Sequence, residues 1–274
     1  MLPLREDIAA PEFPHEPVWI GADPGKMTPL LAGRPALVHF FDFSQLNSVR
    51  TLPYLKEWAH RYGPMGLAVL GIQAPRFPFG GDRAVVEKGL GELGIDFPVM
   101  VDSDLALWSA YGCEGWPSLF LWGRGGILKW FHFGEGEYEG TELAIQGALD
   151  GDDPQESMPE PMAPIRDTDR SGIEVIAPSP ELLPADGNPW TSELAGEGFE
   201  VVFEAGGAHA TMTGEGVLEL DLDGQPLPAI PVDGPGLYDL VAFPIHGEHR
   251  LGLRPTGSVE IWSVSFSPAT EREP

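Results

Sequence analysis

The chain has 274 residues and a net charge of −26, from 16 basic against 42 acidic side chains. That field repels phosphate backbones and anionic lipid, so nucleic acid and membrane surfaces are excluded as expected partners. A single cysteine, Cys113, excludes an internal disulfide, and a hydrophobic content of 42% excludes a disordered chain.

The acidity is uneven. Residues 151–274 hold 5 basic and 23 acidic residues and no lysine. This reads first as a solvated surface and second as a docking face for a basic partner. The N-terminal stretch has acids and prolines but no apolar core of signal-peptide length, and no run approaches the roughly 18 apolar residues of a membrane span. The expectation is a soluble, cytoplasmic protein.

In chain order, residues 1–18 are rich in proline and acid and read as irregular. Val18 to Ile20 is an edge strand, and Thr28 to Leu31 a helical turn. Ala36 to Phe41 is an apolar run of buried-strand type. Ser44 follows as a helix N-cap, and helical spacing runs from Gln45 to Tyr62, with Pro53 inside it as a kink. Leu67 to Ile72 is a second buried strand, parallel to the first because a helix connects them. Asp82 caps a helix from Arg83 to Leu93 that Gly94 ends. Phe97 to Val101 is a short strand, and Asp102 caps a small helix around Leu105 to Tyr111. Ser118 to Trp122 and Ile127 to Phe133 form a hairpin, and Glu142 to Leu149 closes the domain.

Composition changes at Gly151. Residues 151–185 are rich in proline and acid and read as a linker, with Ile173 to Ile176 as one strand. Beyond it the period is two. Phe199, Val201 and Phe203 alternate with polar neighbours, as do Leu218, Leu220 and Leu222, and Asp223-Gly224 is a hairpin turn. Leu237 to Phe243, His249 to Leu253 and Ser258 to Phe266 supply further strands. The expected organisation is an extension over 1–33, an α/β domain over 34–150, the linker, and an all-β sandwich of jelly-roll type over 186–270.

The order of elements and the stretches RTLPYLKEWAHRYGPMGLAVLGIQAP, VDSDLALWSAYG, GWPSLFLW and FHFGEGEYEGTELAIQGAL resemble the TlpA-like redoxins of the thioredoxin family. The resemblance is nearest to the soluble C-terminal part of DipZ proteins, which joins a redoxin domain to a small β-sandwich. It covers about residues 34–149 well and 189–267 more weakly. It implies a thioredoxin-like fold and a peptide-binding groove with a cis-proline, here Trp116-Pro117. It also implies a C-x-x-C dithiol opening the first long helix. The two cysteine places hold Gln45 and Ser48. His39 stands at the strand position of a buried acid, and Gln73, Ala74, Pro75 and Arg76 replace a His-T-P-Glu pattern.

The candidate groove is therefore Ser44, Gln45, Ser48, Trp116 and Pro117, with Gln45 and Ser48 as degenerate dithiol positions and no cofactor or metal. Ser48 as a hydrolytic nucleophile lacks a positioned base. Cys113, with Glu114 and Asp104 beside it, is the one alternative thiol. His246, Glu248 and His249 fall in what reads as a solvated turn rather than a metal clip. Asp221 and Asp223 share an outward strand face but lack the later Glu of a calcium loop. Trp190, Tyr238, Phe243 and Trp262 read as sandwich core rather than a sugar platform.

Three functions follow. The first is a redox-inactive binding or assembly module for an unidentified protein or peptide. The second is a thiol oxidoreductase or peroxidase using Cys113 with an external thiol. The third is carbohydrate binding by the C-terminal domain.

Overall fold

The computed structural model describes residues 1–2, 8–21, 33–150, 158–195 and 198–271, which exclude the expected turn at Thr28 to Leu31. The chain divides into two compact units, Met1–Pro164 and Ile165–Pro274.

The first unit is built on strands β1 (Val18–Ile20), β2 (Ala36–Phe41), β3 (Ala68–Gln73), β4 (Val99–Val101), β5 (Ser118–Trp122) and β6 (Leu128–Phe133). They form one sheet in the order β1-β4-β3-β2-β5-β6. β2, β3 and β4 are parallel, while β5, β6 and β1 run antiparallel to their neighbours. The apolar run of β2 is buried at every residue, as a central strand covered on both faces requires. Its alternate residues feed two cores. Leu37 and Phe41 face one with Leu52, Tyr54, Leu55 and Trp58, and Val38 and Phe40 face the other with Trp19, Leu107 and Trp108.

The helices are α1 (Leu46–Tyr62), α2 (Arg83–Glu92), α3 (Ala106–Ala110) and α4 (Tyr138–Asp150). α1 runs through Pro53 without a break. Asp82 accepts from the amides of Ala84 and Val85, the expected cap. Asp102 acts at α3 from a distance, accepting from Leu107 and Trp108 amides, while Leu105 is the N-cap in a left-handed conformation. This is the expected thioredoxin-like arrangement. Two local expectations change. Residues 8–10 are not loose, because Ala9 bridges Ile127 beside the β5–β6 turn. α4 begins four residues before Glu142, where Tyr138 stacks on Tyr54 with ring centroids 3.7 Å apart.

The second unit is a single antiparallel sheet. Its strands are β7 (Trp190–Thr191), β8 (Phe199–Thr213), β9 (Glu215–Leu222), β10 (Gln225–Asp233), β11 (Gly236–Gly257) and β12 (Glu260–Ser267). Their order is β10-β9-β11-β8-β12-β7, with a short helix α5 (Ser192–Ala195) after β7. β8 and β11 are long enough to curl the sheet, and register shifts in β11 at Asp239/Val241 and Ala242/Gly247 mark the bends. The strands form one hydrogen-bonded sheet that closes on a core of Val201, Phe203, Leu218, Leu220, Leu251 and Leu253. Asp223 (φ 53°) and Gly224 (φ 78°) make the expected tight turn. The stretch expected to be a linker is partly built into this unit: Ile176 bridges Ala269, and Leu182 bridges Val264.

Candidate functional site

The candidate site lies where β2 hands over to α1. Phe41 is the last strand residue, and Asp42 to Gln45 make the turn. Asp42 is fully buried and organises this turn. Its Oδ1 accepts from the Ser44 amide at 2.8 Å and the Ser44 hydroxyl at 2.7 Å, and its Oδ2 accepts from the Arg76 amide at 2.7 Å. Burial pushes the Asp42 carboxyl up, while those three hydrogen bonds hold it down in part. The Phe43 amide donates to Gln73 Oε1 at 3.0 Å, and Gln73 Nε2 donates to the Gly80 carbonyl. A Cβ at Gly80 would stand 3.2 Å from Gln73 Nε2, so the chain after β3 lies close over this turn.

This network corrects the expected cap. Ser44 spends its hydroxyl on Asp42, and Gln45 becomes the N-cap residue instead. The Gln45 side chain folds back so that its Oε1 accepts from the Ser48 amide at 2.7 Å. Ser48 is fully buried, and its Oγ accepts from the Asp42 amide at 3.3 Å. The Gln45 side chain thus closes the N-terminus of α1, while the Ser48 hydroxyl ties the helix back to Asp42. Ser48 has neither solvent access nor a base.

His39 sits on β2 at zero exposure, stacked on Phe41 with centroids 5.5 Å apart. Neither ring nitrogen has a hydrogen-bond partner. Burial drives its pKa down to about 3, so the ring is neutral at ordinary pH. Among the described residues it makes no hydrogen bond to Ser48.

Trp116 and Pro117 lie at the same end of the sheet, because Ser118 on β5 pairs with Phe40 on β2. The Trp116–Pro117 bond is cis. Trp116 Nε1 donates to the Ala74 carbonyl at 2.7 Å, and the indole stacks on Trp108 at 4.1 Å. The Arg76 guanidinium sits 5.8 Å from the Trp116 ring centroid and 5.3 Å from that of Phe77. Arg76 thus ties the Asp42 turn to the cis-proline loop through its amide and its side chain together. The sequence marks Arg76 only as a departure from a family pattern and gives Asp42 no role on its own. The signal for Asp42 was a carboxylate directly following an apolar strand.

Cys113 is half-buried beside this loop. Its thiol is pushed up to about 12, chiefly by burial and also by the Asp102 carboxylate, against a hydrogen bond with Ser118. The carboxylate that matters is Asp102 rather than the Glu114 and Asp104 expected from sequence.

The other expected sites resolve separately. His246 and His249 both lie within β11, since Pro244 and Gly247 make a bulge there rather than a chain reversal. His246 is buried with Nε2 near the Ala177 carbonyl, and His249 pairs with Asp223 at 3.1 Å. Among the described residues no group of three His, Cys, Asp or Glu side chains is placed to hold a metal ion. Trp190, Tyr238 and Phe243 pack against the second core, while the Trp262 indole donates to Thr213 Oγ1.

No family profile matches the chain. The chain is homologous to the DipZ proteins of Mycobacterium tuberculosis and Mycobacterium bovis, each 24% identical over 94% of this chain and 42% of the DipZ length. The chain thus spans less than half of those relatives. It is also 27% identical to the Bacillus subtilis thiol-disulfide oxidoreductase YkuV, over 53% of this chain and 96% of YkuV. Among solved structures, a thioredoxin-like protein in its oxidised form is 26% identical, with a TM-score of 0.47, over 53% of this chain and 96% of that one.

Proposed function

We propose that the chain is a redox-inactive thioredoxin-like protein that works as a binding or assembly module through its cis-proline groove. One observation carries this reading: Gln45 and Ser48, which the resemblance sets at the dithiol places, are hydrogen-bonded into the turn they occupy. Neither carries sulfur, and disulfide exchange requires an attacking thiolate and a leaving thiol. What remains is a groove of Trp116, Pro117, Arg76 and the α1 N-terminus. It suits an extended peptide, and its protein or peptide partner is unidentified. Soluble, cytoplasmic action belongs to this proposal, and among the described residues no helix is long and apolar enough to cross a membrane.

The second reading, a thiol oxidoreductase or peroxidase, draws support from the name of YkuV. It would have to run through Cys113, whose thiol stays protonated near neutral pH. Carbohydrate binding by the second unit, taken as a jelly-roll-type body, is a third reading. The packing of Trp190, Tyr238 and Phe243 on the core gives it little support.

The test is a library of labelled extended peptides screened by fluorescence anisotropy. The binding reading expects hits that Trp116→Ala weakens and Cys113→Ser leaves unchanged. Loss of binding in Cys113→Ser, or covalent capture of thiol-bearing peptides, would instead support the one-cysteine enzyme.

A further inference from the structure

Residues 158–164, MPEPMAP, lie against α1 and α4, at the opposite end of α1 from the turn described above. Their sequence sets their shape. Pro159, Pro161 and Pro164 each hold φ at about −65°. Met158, Glu160 and Ala163 each precede a proline, which disfavours the helical region. The segment is therefore biased to an extended form before it touches anything, and in place it has no regular secondary structure.

The two helices read its backbone. Gln146 Nε2 donates to the Pro159 carbonyl at 2.8 Å, and an Arg61 guanidinium N–H donates to the Glu160 carbonyl. Glu142 Oε2 accepts from the Met162 amide at 2.9 Å. Glu142 and Gln146 stand one turn apart on one face of α4, so the segment runs antiparallel to that helix. The reading groups also brace one another. Arg61 and the Tyr62 hydroxyl both donate to Glu142 Oε1, and Gln146 Nε2 donates to the Tyr62 hydroxyl. Met158 and Met162 pack on the first core, while Glu160 and Pro161 between them are exposed. The helices thus select an extended backbone with an apolar side chain at each end and any residue between the prolines.

We propose that this face of α1 and α4 is a second peptide-binding site, specific for an extended apolar-Pro-x-Pro-apolar segment. Residues 158–162 occupy it in cis, and the same motif on a partner chain displaces them. The site does not depend on the cis-proline groove. Its hydrogen bonds go to backbone atoms that any such segment offers, and the prolines lower the ordering cost of docking. Residues 151–157, GDDPQES, tether the cis segment to α4, so its effective concentration at the site is on the order of a millimolar, which a partner must match.

The probe is the acetylated and amidated peptide MPEPMAP carrying a fluorophore, titrated into the full chain and read by anisotropy. Met158→Ser with Met162→Ser frees the site and is expected to bind the probe about ten-fold tighter than wild type, whose site is filled in cis. Adding Gln146→Ala to that variant is expected to weaken binding about five-fold or more, and so is replacing the three prolines of the probe by alanine. Should the double variant fail to fold, wild type with carbon-13 methionine methyls still decides. Unlabelled peptide at millimolar concentration is expected to shift the signals of Met158 and Met162 as the cis segment leaves. Unmoved signals would overturn the proposal, as would equal affinity of wild type and the double variant, or equal binding of the proline-free probe. Binding lost in Trp116→Ala and kept in Gln146→Ala would put the probe in the cis-proline groove and overturn it too.

Discussion

At the scale of single residues, β2 and the turn from it into α1 carry a set of polar side chains that the fold has buried. His39 shows it best. It is wholly buried, neutral and without a hydrogen bond, so protonating it must disturb the first core. Its pKa falls from 6.5 to about 3 on folding. The unfolded chain then binds more protons than the folded one between those values, so stability is present above pH 6.5 and is lost as pH falls toward 3. The full loss is on the order of 4–5 kcal/mol. Asp42 acts in the opposite sense: its raised carboxyl favours the protonated form in the folded state, which costs stability as pH rises past the ordinary carboxylate range. The informative quantity is therefore the difference between wild type and His39→Leu, in which Asp42 cancels. Urea unfolding should show the variant losing less stability on acidification through pH 6 to 4. Parallel curves for the two proteins would refute the assignment of a buried neutral His39.

At the scale of elements, the cap exchange between Ser44 and Gln45 explains why the site was only partly legible. The strand, turn and helix around it were readable from an apolar run followed by helical spacing, because burial and period dominate there. Which polar side chain caps the helix was not readable, because the choice depends on Asp42 claiming the Ser44 hydroxyl. The second unit repeats this. Its period-two strands were plain, but the bulge at Ala242/Gly247 that keeps β11 continuous past Pro244 reads locally like a turn. Tertiary packing also overrides propensity in α2. Alanine is favoured over glycine in a helix interior by about 1 kcal/mol. At Gly89, however, a Cβ would stand 2.6 Å from Phe43 Cδ2, a fully packed ring in the Asp42 turn. Gly89→Ala is therefore expected to destabilise by about 1–3 kcal/mol. A thermal melt in which Gly89→Ala is more stable than wild type would contradict this packing.

At the scale of the whole molecule, the two units meet in sequence at Pro164, within the stretch that composition marks as a linker. Composition carries no signal for the use of the two ends of that stretch. Glu142, buried on α4, accepts from Arg61, from the Tyr62 hydroxyl at 2.6 Å and from the Met162 amide at 2.9 Å. Met158 and Met162 also pack on the first core. A fragment of residues 1–164 should thus unfold cooperatively, and one ending at Asp150 should melt several degrees lower, since Glu142 keeps Arg61 and Tyr62 but loses the Met162 amide, a hydrogen bond worth about 1.5–3 kcal/mol. Equal melting temperatures for the two fragments would mean that 158–164 adds nothing to the unit.

The proposed function turns on one point, that a thioredoxin-like scaffold without its dithiol chemistry carries Gln45 and Ser48 at the places where the resemblance sets the two cysteines. Reduction of insulin by dithiothreitol tests both halves at once. Wild type is expected to stay at the background rate, and Gln45→Cys with Ser48→Cys is expected to raise the rate, because α1 then presents two thiols one turn apart at its N-terminus. Wild-type turnover above background that disappears in Cys113→Ser would contradict the account.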